Sequence, residues 1–194
     1  MVGEPRLSLM IGGIAMVDLR RDEIPRVTIT QKMIDAAAEL RKQVTVHRTK
    51  TSPVDTDSGV LGEFAFAQWF YGDWRHNEVG DTKGKVDFDG RIELKTSVFP
   101  LNPKLNLPVR EDYARKRTPE FYVWCCLDVP SASDKRIIAG REIAVVGWIG
   151  GEHAHRNPAT TMGRMSSYKC HLTPVWMMHP MGSFRDAYES AESS

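Results

Sequence analysis

Three side chains in one short stretch have the types and the spacing for chemistry. In "GKVDFDGRIELKTS", Gly84 to Ser97, Asp87 stands before a turn, and Glu93 and Lys95 follow it two residues apart. From Ile92 to Lys95 apolar and charged residues alternate as in a half-buried strand, so Glu93 and Lys95 share a face. Asp87 lies across the turn near that face. Two carboxylates brought together repel unless a cation occupies the space between them. A hard divalent ion such as Mg²⁺ takes such a pair, with waters and phosphate oxygens completing its octahedron. An amine beside that ion can hold an attacking water or offset charge in a phosphorane-like transition state.

A plainer account competes. Asp89-Gly90 is an ordinary hairpin signal, and exposed strand faces are often charged. Geometry separates the two. A strict two-residue turn pairs Asp87 with Ile92 and turns Glu93 to the other face. The chemistry needs Asp87 opposite Glu93, which predicts a three-residue connection or a bulge near Gly90. If the turn is regular, Asp89 is the reserve carboxylate and Asp81 a poorer one.

The flanking elements must hold this hairpin. Thr30 reads as an N-cap, and a helix with one apolar side runs from Gln31 to about Val44. "KTSPVDTDS", Lys50 to Ser58, is a turn-rich connector. A second helix, "GVLGEFAFAQWFYG", runs from Gly59 to about Tyr71 and stops at Gly72; it is apolar nearly all round and belongs in the core. A short strand is expected near Asn77 to Val79 and a turn at Gly80 to Gly84. Residues 100–119, rich in proline and charge, read as a loop with one helical turn. Phe121 to Val129, "FYVWCCLDV", is a strong buried strand. Arg141 to Ile149 supplies another, residues 152–167 look irregular, and Tyr168 to Trp176 add a final short strand. Helices first and then mostly strands predict an α+β (α/β) fold with a central mixed sheet flanked by helices.

Bulk properties narrow the class. A chain of 194 residues supports one compact domain with a real core. We expect residues 1–28 to be an N-terminal arm or strand, 29–185 a single domain and 186–194 a polar tail. The 26 Lys and Arg against 25 Asp and Glu leave a net charge of +1, so any nucleic-acid footprint must be local. Three cysteines, two of them adjacent on a buried strand, argue against a disulfide framework and for a cytoplasmic setting. The apolar run Leu7 to Val17 is too short to span a bilayer, and no membrane association is expected.

Asp87 followed by Glu93-Leu94-Lys95 resembles the D…(D/E)xK motif of the PD-(D/E)xK nuclease superfamily, with its restriction-endonuclease-like core. "GVLGEFAFAQW" resembles the first helix of many such nucleases, and "FYVWCCLDV" and "IAVVGWI" resemble the later core strands. The likeness covers roughly residues 55–150. It implies a metal-dependent DNA endonuclease that uses Mg²⁺ or Mn²⁺, one or two ions, in a phage or DNA-repair setting. Asp87, Glu93 and the carbonyl of Leu94 would bind metal, Lys95 would position water, and Glu63 would bind a second metal or orient metal-bound water. DNA is the implied partner, and such nucleases often form a homodimer to cut two strands. Val86 stands where the motif usually has proline. The glutamine-tyrosine helix motif and the iron–sulfur cysteines of some branches are absent, which disfavours those branches. The alternative is a non-catalytic nucleic-acid-binding protein that keeps the fold.

Arg110, Arg115, Lys116 and Arg117 form a candidate DNA-binding loop, diluted by Glu111 and Asp112. Arg41, Lys42, His47, Arg48 and Lys50 make a second patch, read as solvated surface. His153, His155, Cys170 and His171 have zinc-ligand types without a finger spacing, and ordinary loop residues are the better reading.

Overall fold

The structure, a computed structural model, describes residues 10–11, 14–15, 17–19, 23–43, 53–76, 86–162 and 168–192. The expected strand at Asn77 to Val79, the turn at Gly80 to Gly84, and Asp81 lie outside them. Two short strands, β1 (Met10–Ile11) and β2 (Ile14–Ala15), pair antiparallel. β3 (Arg26–Thr28) leads into α1 (Gln31–Gln43), where Thr30 Oγ1 accepts the Met33 N–H at 3.2 Å as the N-cap. α2 (Pro53–Phe70) starts earlier than expected. Proline suits the first helical turn and Asp55 complements the helix dipole there, so the stretch read as a connector begins the helix. Gly72, at φ +82°, follows the end of α2.

β4 (Ile92–Phe99) is an edge of a four-stranded sheet of order β3-β7-β6-β4. β6 (Phe121–Asp128) runs parallel to β4, and β7 (Glu142–Gly150) runs antiparallel to both β6 and β3. The sheet is therefore mixed and flanked by helices, as the element order predicts. Of the arm or strand expected over residues 1–28, β3 is a strand of this sheet.

Between β4 and β6 the chain forms β5 (Asn106–Arg110) and α3 (Glu111–Ala114), where the sequence suggests a loop. Pro108 obscures the strand, yet β5 is the edge of a second sheet of order β5-β9-β8, and an edge tolerates a residue with no N–H. Leu107 and Val109 face inward, fully buried. α4 (Gly151–Ala154) and β8 (Thr160–Thr161) occupy part of the stretch read as irregular, and β9 (Lys169–Pro174) is the final strand. Residues 186–192, read as tail, belong to α5 (Phe184–Glu192), which buries Phe184 and packs Ala187, Tyr188 and Ala191 on the core. Its apolar positions at i, i+3, i+4 and i+7 are an amphipathic repeat hidden by the polar composition.

Both faces of the main sheet are covered. Phe121, Val123, Cys125 and Leu127 of β6 join Ile92, Leu94, α1 and α2 in one core, while Tyr122, Trp124 and Cys126 join Leu107, Val109 and Met178 in another. That double burial explains the unbroken apolar run of β6. All three cysteines are buried free thiols. Among the described residues no helix is long and apolar enough to cross a membrane.

α2 approaches β4 most closely at Gly62, where an added Cβ would lie 1.9 Å from Thr96 Oγ1 and 3.0 Å from Thr96 Cβ. Gly62→Ala is therefore expected to cost roughly 1–3 kcal/mol by overpacking, although alanine gains about 1 kcal/mol in helix propensity. Adding Thr96→Ala should return part of the loss. Urea midpoints of the two variants against the parent chain check this, and a stabilised Gly62→Ala would contradict the packing.

Candidate active site

The hairpin that brings the charged residues together is irregular in the expected way. Phe88 and Ile92 bridge antiparallel, with Asp89, Gly90 and Arg91 between them. The Ile92 carbonyl accepts both the Asp87 N–H at 2.9 Å and the Phe88 N–H at 3.1 Å. This sharing is a bulge in the strand before the turn. Asp89 and Gly90 both have positive φ, 52° and 69°. Glycine takes that conformation freely, and aspartate is among the few other residues that do. The Asp89 carboxylate is itself fixed, accepting hydrogen bonds from Tyr71 Oη at 2.5 Å and Tyr188 Oη at 2.8 Å. Asp89 is thus the clamp that sets the turn rather than a reserve ligand.

The bulge puts Asp87 on the face that carries Glu93. Asp87 Oδ2 accepts the Leu94 N–H at 2.6 Å. Glu93, 7% exposed, is the one charged residue that is buried among the described residues. One of its oxygens accepts Lys95 Nζ, and the other accepts Arg117 Nη2 at 2.5 Å. Lys95 Nζ also donates to the Leu94 carbonyl at 3.1 Å. Ile92 and Leu94 point to the opposite face, into the core under α2.

Electrostatics follow from this crowding. Burial, and then the negative charge of Glu93, raise Asp87 from its ordinary 3.8 to about 6, against the pull of Lys95, the Leu94 N–H and Arg117. Tyr122, the partner of Glu93 in the parallel register, has its phenol pushed up by burial and by the same carboxylate. Its hydroxyl is hydrogen-bonded to His155 Nε2 at 3.1 Å.

Asp87, Glu93 and Lys95 are therefore brought together, and Arg117 joins them. Sequence reasoning assigned Arg117 to a DNA-contacting loop and missed its bond to Glu93. It precedes β6 by a few residues, and the parallel pairing of Ile92 with Phe121 delivers it to the Glu93 end of β4. Tyr122 lies in a run whose sequence signals only buried strand. Glu63 is not brought to this cluster. It lies on α2, and its charge acts on the Cys125 thiol. Among the described residues no group of three or more His, Cys, Asp or Glu side chains is close enough to hold a metal.

The rest of the basic loop is largely neutralised. Arg110 pairs with Asp112 at 2.7 Å and Arg115 with Glu111 at 2.6 Å, while Lys116 Nζ lies 5.7 Å from the Tyr113 ring centroid. In the second patch Arg41 pairs with Asp57 and Lys42 with Glu39; His47, Arg48 and Lys50 lie outside the described residues. The rings of His155 and His171 are 5.5 Å apart, with His171 Nδ1 hydrogen-bonded to the Asn157 carbonyl at 2.6 Å.

No family model, curated protein or solved structure matches the chain.

Because Asp87 holds its proton more tightly in the folded chain than in the unfolded one, it favours folding at low pH. That contribution fades as pH rises through about 6. Asp87→Asn keeps an acceptor for Leu94 and removes the charge, so it should stabilise the fold by about 1–3 kcal/mol at pH 8 and by little at pH 4. Urea unfolding at the two pH values measures the difference, and equal effects at both would refute the crowding.

Proposed function

We propose that this chain is a Mg²⁺- or Mn²⁺-dependent DNA endonuclease that hydrolyses phosphodiester bonds, related to the PD-(D/E)xK nucleases its motif resembles. The observation that carries the reading is the crowding of Asp87 and Glu93 on one buried face with Lys95 beside them. Two acidic groups held at a cost to stability, next to an amine, fit a site kept for a cation.

The donor set suits a hard ion. Mg²⁺ is held by one or two carboxylates with the remaining positions left to water and phosphate oxygens, whereas structural zinc wants thiolates and imidazoles. In this reading Asp87, Glu93 and the Leu94 carbonyl hold the metal. When bound, the metal supplies Lewis acidity toward the phosphodiester and lowers the pKa of the water that attacks it. Lys95, whose Nζ already lies 3.1 Å from the Leu94 carbonyl, orients that water or balances the charge that builds on the phosphorus oxygens. Tyr122, which pairs with Glu93 in the parallel register, belongs to the second core, and Glu93 beside it is 7% exposed. Glu63, which the resemblance assigns to a second metal or to metal-bound water, does not form a three-acid group with Asp87 and Glu93 and is given no step in this reading.

A non-catalytic nucleic-acid-binding protein is the second reading. It draws on the occupation of both Glu93 oxygens by Lys95 and Arg117, an arrangement that would also serve a purely structural ion-pair network.

Purified protein with Mn²⁺ or Mg²⁺ is expected to cleave at least one of plasmid, linear or four-way-junction DNA, and chelation should stop it. Lys95→Ala should lower the rate by roughly 10²-fold or more with the fold retained. Equal cleavage by the variant would exclude this site. DNA binding with no cleavage of any substrate would favour the second reading.

A further inference from the structure

We propose that Arg117 is a displaceable counter-ion: it holds the carboxylate pair in a state of low metal affinity until a substrate phosphate arrives, so that metal and DNA bind cooperatively. This inference rests on the reading of Asp87 and Glu93 as the metal-holding pair.

The geometry argues for exchange rather than permanent pairing. Arg117 donates through Nη2 to Glu93, but its Nη1 is buried with no hydrogen-bond partner. A guanidinium has five N–H donors in a fixed fork, and leaving one nitrogen buried and unpaired is costly. Attraction to Glu93 holds the group where its donors are poorly satisfied. Lys95 is better satisfied, since it donates to both Glu93 and the Leu94 carbonyl. Of the two cations, Arg117 therefore has more to gain by moving. Its setting permits this: residues 115–120 connect α3 to β6 without helix or strand, whereas Lys95 is fixed within β4.

Charge balance gives the direction. With both acids ionised, Asp87, Glu93, Lys95 and Arg117 sum to zero. A divalent cation entering alone meets two positive groups and must compete with them for the Glu93 oxygens. A phosphodiester brings a negative charge and acceptor oxygens placed for bidentate contact with a guanidinium. Arg117 can then leave Glu93 for the phosphate, satisfy both terminal nitrogens and free a carboxylate oxygen for the metal. By linkage, DNA must raise metal affinity by the same factor by which metal raises DNA affinity.

An arginine that only binds phosphate predicts something different: its removal would weaken DNA binding and leave metal affinity without DNA unchanged. The discriminating experiment is calorimetric titration of Mn²⁺ into DNA-free protein, for the parent chain, Arg117→Gln and Arg117→Lys, with circular dichroism to verify folding. Arg117→Gln should bind Mn²⁺ roughly tenfold tighter than the parent, within the usual range of coupling between sites, and Arg117→Lys should stay near the parent. Unchanged or weaker binding by folded Arg117→Gln overturns the proposal. A second arm needs no variant: a phosphorothioate duplex that resists hydrolysis should raise the parent's Mn²⁺ affinity, and no increase also overturns it. If neither parent nor variant binds Mn²⁺ with or without the duplex, the metal-site reading falls and this inference with it. Parent binding that Arg117→Gln leaves unaltered removes the inference alone.

Discussion

The structure turns on the repulsion between two carboxylates held on one buried face of a hairpin. Glu93 alternates with Ile92 and Leu94 along β4, so burying the apolar pair under α2 forces Glu93 into the opposite layer. Asp87 reaches the same layer only because the strand before the turn is bulged. The bulge disturbs a regular ladder, and the cluster it creates is disfavoured by burial and like charge. Both costs are local. What offsets them is distributed across the surrounding elements.

The turn is tied down from three directions. Tyr71 from the end of α2 and Tyr188 from α5 both donate to the Asp89 carboxylate. Arg91 makes two hydrogen bonds to Glu120 at the entry to β6, and its guanidinium lies 4.2 Å from the Tyr188 ring centroid. Gly62 lets α2 sit directly on Thr96 in β4. The ring cluster of Phe66, Phe70, Phe88, Phe121 and Phe184 joins the hairpin, α2, β6 and α5 in one core. Residues far apart in the chain thus fix one three-residue connection, and that over-determination is what allows an unfavourable charge arrangement to persist.

The legible parts of this chain were those whose signals are local. The Thr30 cap, Gly72 after α2, the apolar runs of β6 and β7, and the shared face of Glu93 and Lys95 each depend on neighbours within a few residues. So did the irregular turn, because only an odd connection puts Asp87 across from Glu93. What was not legible depends on partners distant in sequence. β5 looked like a loop because Pro108 and its charged neighbours match no strand signature until β9 pairs with it. The C-terminal helix was masked by serine and glutamate, although Phe184, Ala187, Tyr188 and Ala191 line one side. The sequence assigns Arg117 to a candidate DNA-binding loop, because nothing in it announces that β4 and β6 are parallel neighbours in register. The resemblance also implied that Glu63 would join the site, but helical position alone does not say which face of a sheet a helix covers.

The location of Glu63 changes the electrostatics of the proposed site. A third carboxylate beside Asp87 and Glu93 would make the cluster strongly attractive to divalent ions even without substrate, enough to hold two. Among the described residues Glu63 does not complete a three-acid group with Asp87 and Glu93, and the charges of those two acids are matched by Lys95 and Arg117. Under the proposed function, one ion is the number this donor set favours, and the missing negative charge must come from the phosphodiester itself. Metal and substrate are then not independent ligands. In the proposed reading, the buried pair would supply the oxygens, the two cations would keep it stable in the absence of metal and substrate, and the substrate's own charge would tip the balance toward a loaded site.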